Sequence, residues 1–131
     1  MTLRRPYFTV ATVAGFALLA GALTLSILGQ AQPAIHGKDL FERRCGGCHS
    51  LDRDKEGPRL GGVYGRAAGT VDSFQYSEAL KKSRITWNDE SLEKWLTDPA
   101  QVVPNNDMAF HLEKEEERRE IIAYLKQNPH R

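Results

Sequence analysis

Only two cysteines occur in the 131 residues, Cys45 and Cys48, three positions apart. A bridge closing so short a loop cannot staple a whole fold. Net charge is equally scarce, at +1 with histidine neutral. A chain this close to neutral lacks the basic excess of a nucleic-acid binder, and its 40% hydrophobic content separates it from a disordered tail. No segment alternates as a half-buried strand would, and no internal repeat is present. Acids are missing from the front of the chain, where the first is Asp39. What remains is the composition of one small all-α domain that must draw stability from something other than disulfides. A large buried cofactor is one answer.

The acid-free front has its own logic. Arg4 and Arg5 precede the uncharged run VATVAGFALLAGALTLSIL over residues 10–28, and Gly29-Gln30-Ala31 follows with small side chains. Basic flank, apolar middle and small residues are the order of an export signal, with cleavage expected after Ala31. At 19 residues the run is also just long enough to span a bilayer, so retention as an N-terminal membrane anchor is the alternative. Either way residues 1–31 serve targeting and 32–131 form the exported domain. With Arg4 and Arg5 set aside, that domain sets 16 Lys+Arg against 17 Asp+Glu.

Within it, apolar spacing predicts short helices separated by much loop. IHGKDLFERRC, from Ile35 to Cys45, places Leu40 and Phe41 on one side among charges. Residues 50–75 are rich in glycine and read as loop. Tyr76 to Ser83 suits a short helix. Asn88-Asp89 gives an N-cap signal for ESLEKWLTD, whose apolar stripe is Leu92, Trp95 and Leu96. Asp98-Pro99 restarts a turn of helix, because proline is welcome at the first helical position. Residues 102–112 are irregular, and a last helix is expected from Lys114 to Gln127 with Ile121, Ile122, Tyr124 and Leu125 inward.

The strongest motif is Cys45-Gly46-Gly47-Cys48-His49. C-x-x-C-H is the spacing of c-type haem attachment. Two thiols on one turn can reach the two vinyl groups of a porphyrin edge, and the next histidine then falls beneath the iron. A thioredoxin-like pair would need a strand-helix setting, which the pattern lacks. A zinc site would need a fourth ligand, and no second cysteine pair exists. An export segment ahead of the motif agrees with haem attachment outside the cytoplasm.

A histidine-bound haem iron keeps a sixth position. Met1 and Met108 are the only methionines, so Met108 is the one candidate thioether ligand. It lies in the loop Val103-Pro104-Asn105-Asn106-Asp107-Met108, an odd place for a core filler. Core packing or an open site are the alternatives. Among other donors His36 and His130 read as surface residues, and His111 is the competing ligand.

From Gly37 to Gln127 the chain resembles class I cytochrome c of the mitochondrial and alphaproteobacterial soluble type. Gly37-Lys38-Asp39-Leu40-Phe41 resembles the family's first helix. Gly57-Pro58-Arg59-Leu60-Gly61-Gly62-Val63-Tyr64-Gly65-Arg66 is similar to the loop after the proximal histidine. Phe74-Gln75-Tyr76, Ile85-Thr86-Trp87, Pro104 to Phe110 and Ile121 to Lys126 follow in the family's order. The resemblance implies four to five helices wrapped around one thioether-linked haem c per chain, held through Cys45 and Cys48 with His49 and Met108 on the iron. It also implies that the Pro58 carbonyl accepts the other ring N–H of His49. Tyr76 and Trp87 would donate to a haem propionate, with Arg66 offsetting its charge, and Gly37 and Phe41 would pack on Tyr124 and Ile121. Trp95 stands where the family commonly has tyrosine, Leu80 where mitochondrial members usually have asparagine, and Asn106 where threonine is usual. The polar network beside Met108 is therefore expected to be thinned or rearranged.

The implied function is a non-enzymatic one-electron carrier on the periplasmic side, soluble after cleavage or anchored. Its partners would be a cytochrome bc-type reductase and a terminal oxidase or other redox protein, with a monomer expected. The alternative is a haem protein whose labile sixth ligand admits peroxide or small ligands. Around the exposed edge, Arg43, Arg44, Arg53, Lys55, Arg59, Lys81 and Lys82 could form basic patches. Ala100, Gln101 and Asp107 replace family lysines, and an acidic run from Glu113 to Glu117 follows. That run suits either a solvated helix start or a lopsided docking face.

Overall fold

A computed structural model describes residues 33–129. The export segment expected over residues 1–31, and His130, lie outside the described residues. Five helices follow one another: α1 (Pro33–Arg44), α2 (Glu78–Lys82), α3 (Asp89–Thr97), α4 (Pro99–Val102) and α5 (Glu115–Lys126). The only extended pairing among the described residues is one antiparallel bridge, Ala67 with Thr86. None of the described helices is long and apolar enough to cross a membrane.

The first and last helices cross each other. On α1 the buried positions Gly37, Leu40 and Phe41 recur at helical spacing, and Cys45 continues the same face one turn on. Opposite them α5 buries Ile121, Ile122 and Leu125, with Ile121 fully enclosed. Gly37 lies so near α5 that an added Cβ would stand 2.5 Å from the Glu120 carbonyl oxygen and 2.9 Å from Tyr124 Cβ. Only glycine permits that approach. Phe41 and Tyr124 close the crossing with ring centroids 5.5 Å apart. Tyr124, expected inward, is half-buried.

The middle of the chain is shaped by caps. Asn88 opens α3 through a reciprocal box: its Oδ1 accepts from Ser91 N–H at 2.9 Å, and Ser91 Oγ accepts from Asn88 N–H at 2.8 Å. Leu92, Trp95 and Leu96 then face the core, as their spacing requires. Asp98 ends α3 and caps α4, its Oδ1 accepting from Ala100 and Gln101 N–H. Pro99 fills the first position of α4, where no N–H is needed. The helix expected over Tyr76 to Ser83 is shorter, because Ser77 caps it and Ser83 ends it.

Candidate haem site

The C-x-x-C-H motif is a continuation of α1. Cys45 and Gly46 N–H both donate to the Phe41 carbonyl, and Cys48 and His49 N–H both donate to that of Cys45. The turn leaves Cys45 buried and Cys48 exposed. Burial, with a smaller contribution from Cys48, pushes the Cys45 thiol up to about 12. A free Cys45 therefore stays protonated at neutral pH. Among the described residues no three His, Cys, Asp or Glu side chains converge as a metal ion would need, so geometry lends the zinc alternative no support.

The following loop is folded back onto the motif. Gly57 N–H donates to the Cys48 carbonyl, Leu60 to Ser50 and Gly61 to Leu51. This brings the Pro58 carbonyl to 2.8 Å from His49 Nδ1. The imidazole donates there, which fixes the tautomer and leaves Nε2 with a free lone pair. Burial lowers the His49 pKa; the bond to Pro58 works against that shift, and nearby Lys55 adds to it. Burial thus favours the neutral ring, the form a metal ligand takes.

Met108 is half-buried in the irregular segment after α4. Its backbone N–H donates to Asn106 Oδ1 at 2.7 Å, while Asn106 Nδ2 donates to the Val103 carbonyl. Asn105 takes a left-handed φ of 64°, tolerable for asparagine, and turns the chain toward the methionine. The Trp95 indole N–H donates to Met108 Sδ at 3.1 Å. So the network beside the sulfur is rearranged: an indole supplies the donor, and Leu80 is a half-buried apolar side chain packed on the core. His111, the competing ligand, is exposed, as is His36.

The third group is Arg66, Tyr76 and Trp87. Arg66 is half-buried and donates to the Gly61 and Arg59 carbonyls, yet pairs with no carboxylate among the described residues. Burial lowers its pKa, while Tyr76 acts in the opposite sense. Tyr76 and Trp87 are buried, and burial raises the tyrosine pKa. Trp87 N–H donates to the Arg66 carbonyl at 2.9 Å, and its ring meets Trp95 edge-on at 5.2 Å. The Trp87 indole N–H has no acceptor among the described residues.

A haem fits what these groups leave open. The free Nε2 of His49 suits an iron. A half-buried guanidinium that meets no carboxylate among the described residues, and an uncommitted indole N–H, suit a carboxylate in apolar surroundings. Half-buried Leu51, Leu60, Leu80, Ile85 and Met108 adjoin the core without being enclosed by it, as residues flanking a porphyrin would. The sequence reading missed Asp54, whose carboxylate accepts from Arg59 N–H at 2.8 Å and Ser73 Oγ at 2.6 Å, tying the loop that carries Pro58 to the next. It also missed Arg118, the one charged residue that is buried among those described. Its only sequence signal is a position one turn ahead of Ile121 and Ile122 on the apolar side of α5.

A crossing of the first and last described helices, a C-x-x-C-H turn and a loop that presents a methionine are the parts of a c-type cytochrome. The family model for cytochrome c matches residues 34–129, and the chain belongs to that family. It is 48% identical to cytochrome c of Euglena viridis over 96 residues, covering 71% of this chain and 94% of that protein. Against cytochrome c of Chlamydomonas reinhardtii the identity is 42%, over 70% and 85% of the two chains. Among solved structures it is similar to cytochrome cH from Methylobacterium extorquens, with a TM-score of 0.68 and 40% identity over 72% of this chain and 97% of that one. The protein is a haem-based electron carrier with haem c covalently attached.

Proposed function

We propose that the protein carries single electrons between membrane complexes on the periplasmic side, from a cytochrome bc-type reductase to a terminal oxidase. Cys45 and Cys48 would provide the thioether links, and His49 and Met108 would hold the iron. Haem c would supply a one-electron couple, which a methionine ligand would hold toward high potential. The residues around it prepare both ligands. Pro58 keeps the His49 ring oriented through Nδ1, and Trp95 and Asn106 hold Met108 by its sulfur and its backbone. Ligands held from outside the iron change little between oxidation states, so reorganisation is small. Arg66, Tyr76 and Trp87 serve the propionate. The observation that carries this reading is the paired preparation: a His49 ring with Nδ1 committed to the Pro58 carbonyl and Nε2 left over, and a Met108 sulfur with a fixed donor.

Redox-resolved absorption spectra of the haem-loaded protein test it. Retention of pigment through acid-acetone extraction, with a long-wavelength thioether-to-iron band in the oxidised form that Met108→Ala abolishes, is the expected result. A missing band in the unsubstituted protein would mean an open or labile sixth position and small-ligand chemistry. The segment 1–31 is proposed to direct export, and the mass of the purified mature protein distinguishes cleavage after Ala31 from retention.

Docking is expected to rely little on charge. Of the cations around the edge, Lys81 and Lys82 both lie on Glu78, at 2.7 and 3.7 Å. Arg44 pairs with Glu117 at 2.9 Å and Arg59 with Asp54 at 3.8 Å. Lys55 donates to the Gly46 carbonyl. Meanwhile Asp107, Glu113 and Glu116 are exposed near or after the methionine loop, as is Phe110. A partner surface of mixed charge fits this face, so electron-transfer rates should vary shallowly with ionic strength. A steep fall with added salt would refute it.

A further inference from the structure

Between Met108 and Leu112 the chain is exposed, and Ala109, Phe110 and His111 make no hydrogen bond among the described residues. The methionine is therefore held on its C-terminal side by what happens at Leu112 and Glu113. Leu112 N–H donates to the Leu96 carbonyl at 2.7 Å. Arg118, reaching back from α5, donates from Nη1 to the carbonyls of both Leu112 and Glu113, at 2.6 and 2.8 Å. Its Nε donates to Glu93 Oε1 on α3 at 2.6 Å. The Arg118 side chain is 10% exposed and that of Glu93 32%, so solvent screens this pair poorly.

The pieces converge on one helix. Glu93, Trp95 and Leu96 all belong to α3, and each secures part of the same loop: Glu93 through Arg118, Trp95 at the Met108 sulfur, Leu96 at the Leu112 amide. A buried guanidinium that binds two successive carbonyls and a carboxylate fixes three separated segments at once, because its fork of donors is rigid. Lysine could not do the same with one ammonium point.

We infer that Arg118 is a positioning residue for the sixth ligand: it latches the end of the methionine loop between α3 and α5, and so sets how rarely Met108 leaves the iron. The inference rests on the axial role proposed for Met108. With the latch intact the chain is a closed carrier; without it residues 109–113 come free and the sixth position opens to small ligands.

The test uses the haem-loaded full chain as wild type, Arg118→Met and Arg118→Lys. Cyanide binding to the oxidised protein reports opening of the methionine, and amide exchange at Leu112 reports opening of the latch. In Arg118→Met both are expected to speed up at least about tenfold, the weight of one charge-assisted hydrogen bond. Ile122 and Leu125, in the helix crossing, should exchange at the wild-type rate. Arg118→Lys should fall between, and it carries the same comparison should Arg118→Met fail to accumulate. Unchanged cyanide and Leu112 rates, or an equal rise at every amide, would overturn the latch. Absence of the thioether-to-iron band in wild type would instead overturn the ligation, and the Leu112 exchange would still decide the latch.

Discussion

Gly47 lies in the motif and Gly57 in the loop that follows, and substitution at these two positions separates what geometry demands from what spacing alone requires. At Gly57 an added Cβ would stand 2.7 Å from both ring nitrogens of His49, and closer still to the carbon between them. Ordinary contact begins at 3.4 Å, so the imidazole must retreat by at least 0.7 Å. Its Nδ1 is bound to the carbonyl of the very next residue, Pro58, at 2.8 Å. Ring and carbonyl cannot both stay where they are. Gly57→Ala should therefore lose about 0.5–1.5 kcal/mol from the hydrogen bond and about 1–3 kcal/mol from overpacking. Gly47 is exposed, and an added Cβ there meets nothing within 4 Å. Gly47→Ala is the matched control, with no loss expected. Denaturant unfolding of the haem-loaded proteins reads the stability difference, and spectroelectrochemical titration reads the displaced axial ligand as a changed potential. If Gly57→Ala matched Gly47→Ala in both, the close contact between loop and imidazole would be wrong.

Trp95→Phe removes the donor to the Met108 sulfur while keeping a ring against Trp87; an N–H on sulfur draws electron density from it and favours reduced iron, so the potential should fall. The ceiling is about 60 mV, one neutral hydrogen bond expressed as a one-electron couple, and a potential that held or rose would contradict the bond. Gly37→Ala gains about 1 kcal/mol of helix propensity yet drives a Cβ into the α5 backbone, so unfolding experiments should show net destabilisation. Net stabilisation would mean the helices have room. Asp54 is held below its ordinary value of 3.8, first by the Ser73 hydroxyl and then by the Arg59 N–H. A depressed carboxylate contributes fully above its unfolded value and loses that contribution as pH falls through the folded one. Asp54→Asn should thus be less stable than wild type near neutrality, with the gap closing below 3.8 in denaturant midpoints taken across pH. A gap that stayed constant would show that the carboxylate's charge does not matter.

Much of the site was legible because its chemistry is local. Cys45, Cys48 and His49 lie within one turn, and a covalent cofactor needs them at that spacing wherever the turn lands. Met108 could be proposed by elimination, being the sole methionine beyond Met1. The α3 box of Asn88 and Ser91 and the Asp98-Pro99 restart depend on neighbours a few residues apart, so local propensity sufficed. The pairing of Lys81 and Lys82 with Glu78 was also within reach, at helical spacings of three and four, and it tempers the basic patches that these lysines could form.

Contacts between distant segments were a different matter. That Trp95 serves the Met108 sulfur, that Asp54 ties Arg59 to Ser73, and that Arg44 spends its charge on Glu117 are consequences of helices crossing and loops folding back. Arg118 shows the limit best. By composition it is one more surface cation in a run of charges, and only burial against carbonyls of the methionine loop makes it a fastener. The sequence by itself determined the cofactor and which atoms could grip it, because covalent attachment and ligation depend on residue type and short-range spacing. The tertiary structure alone decided how firmly those atoms are held, since burial and hydrogen-bond geometry between remote residues exist only once the chain has packed.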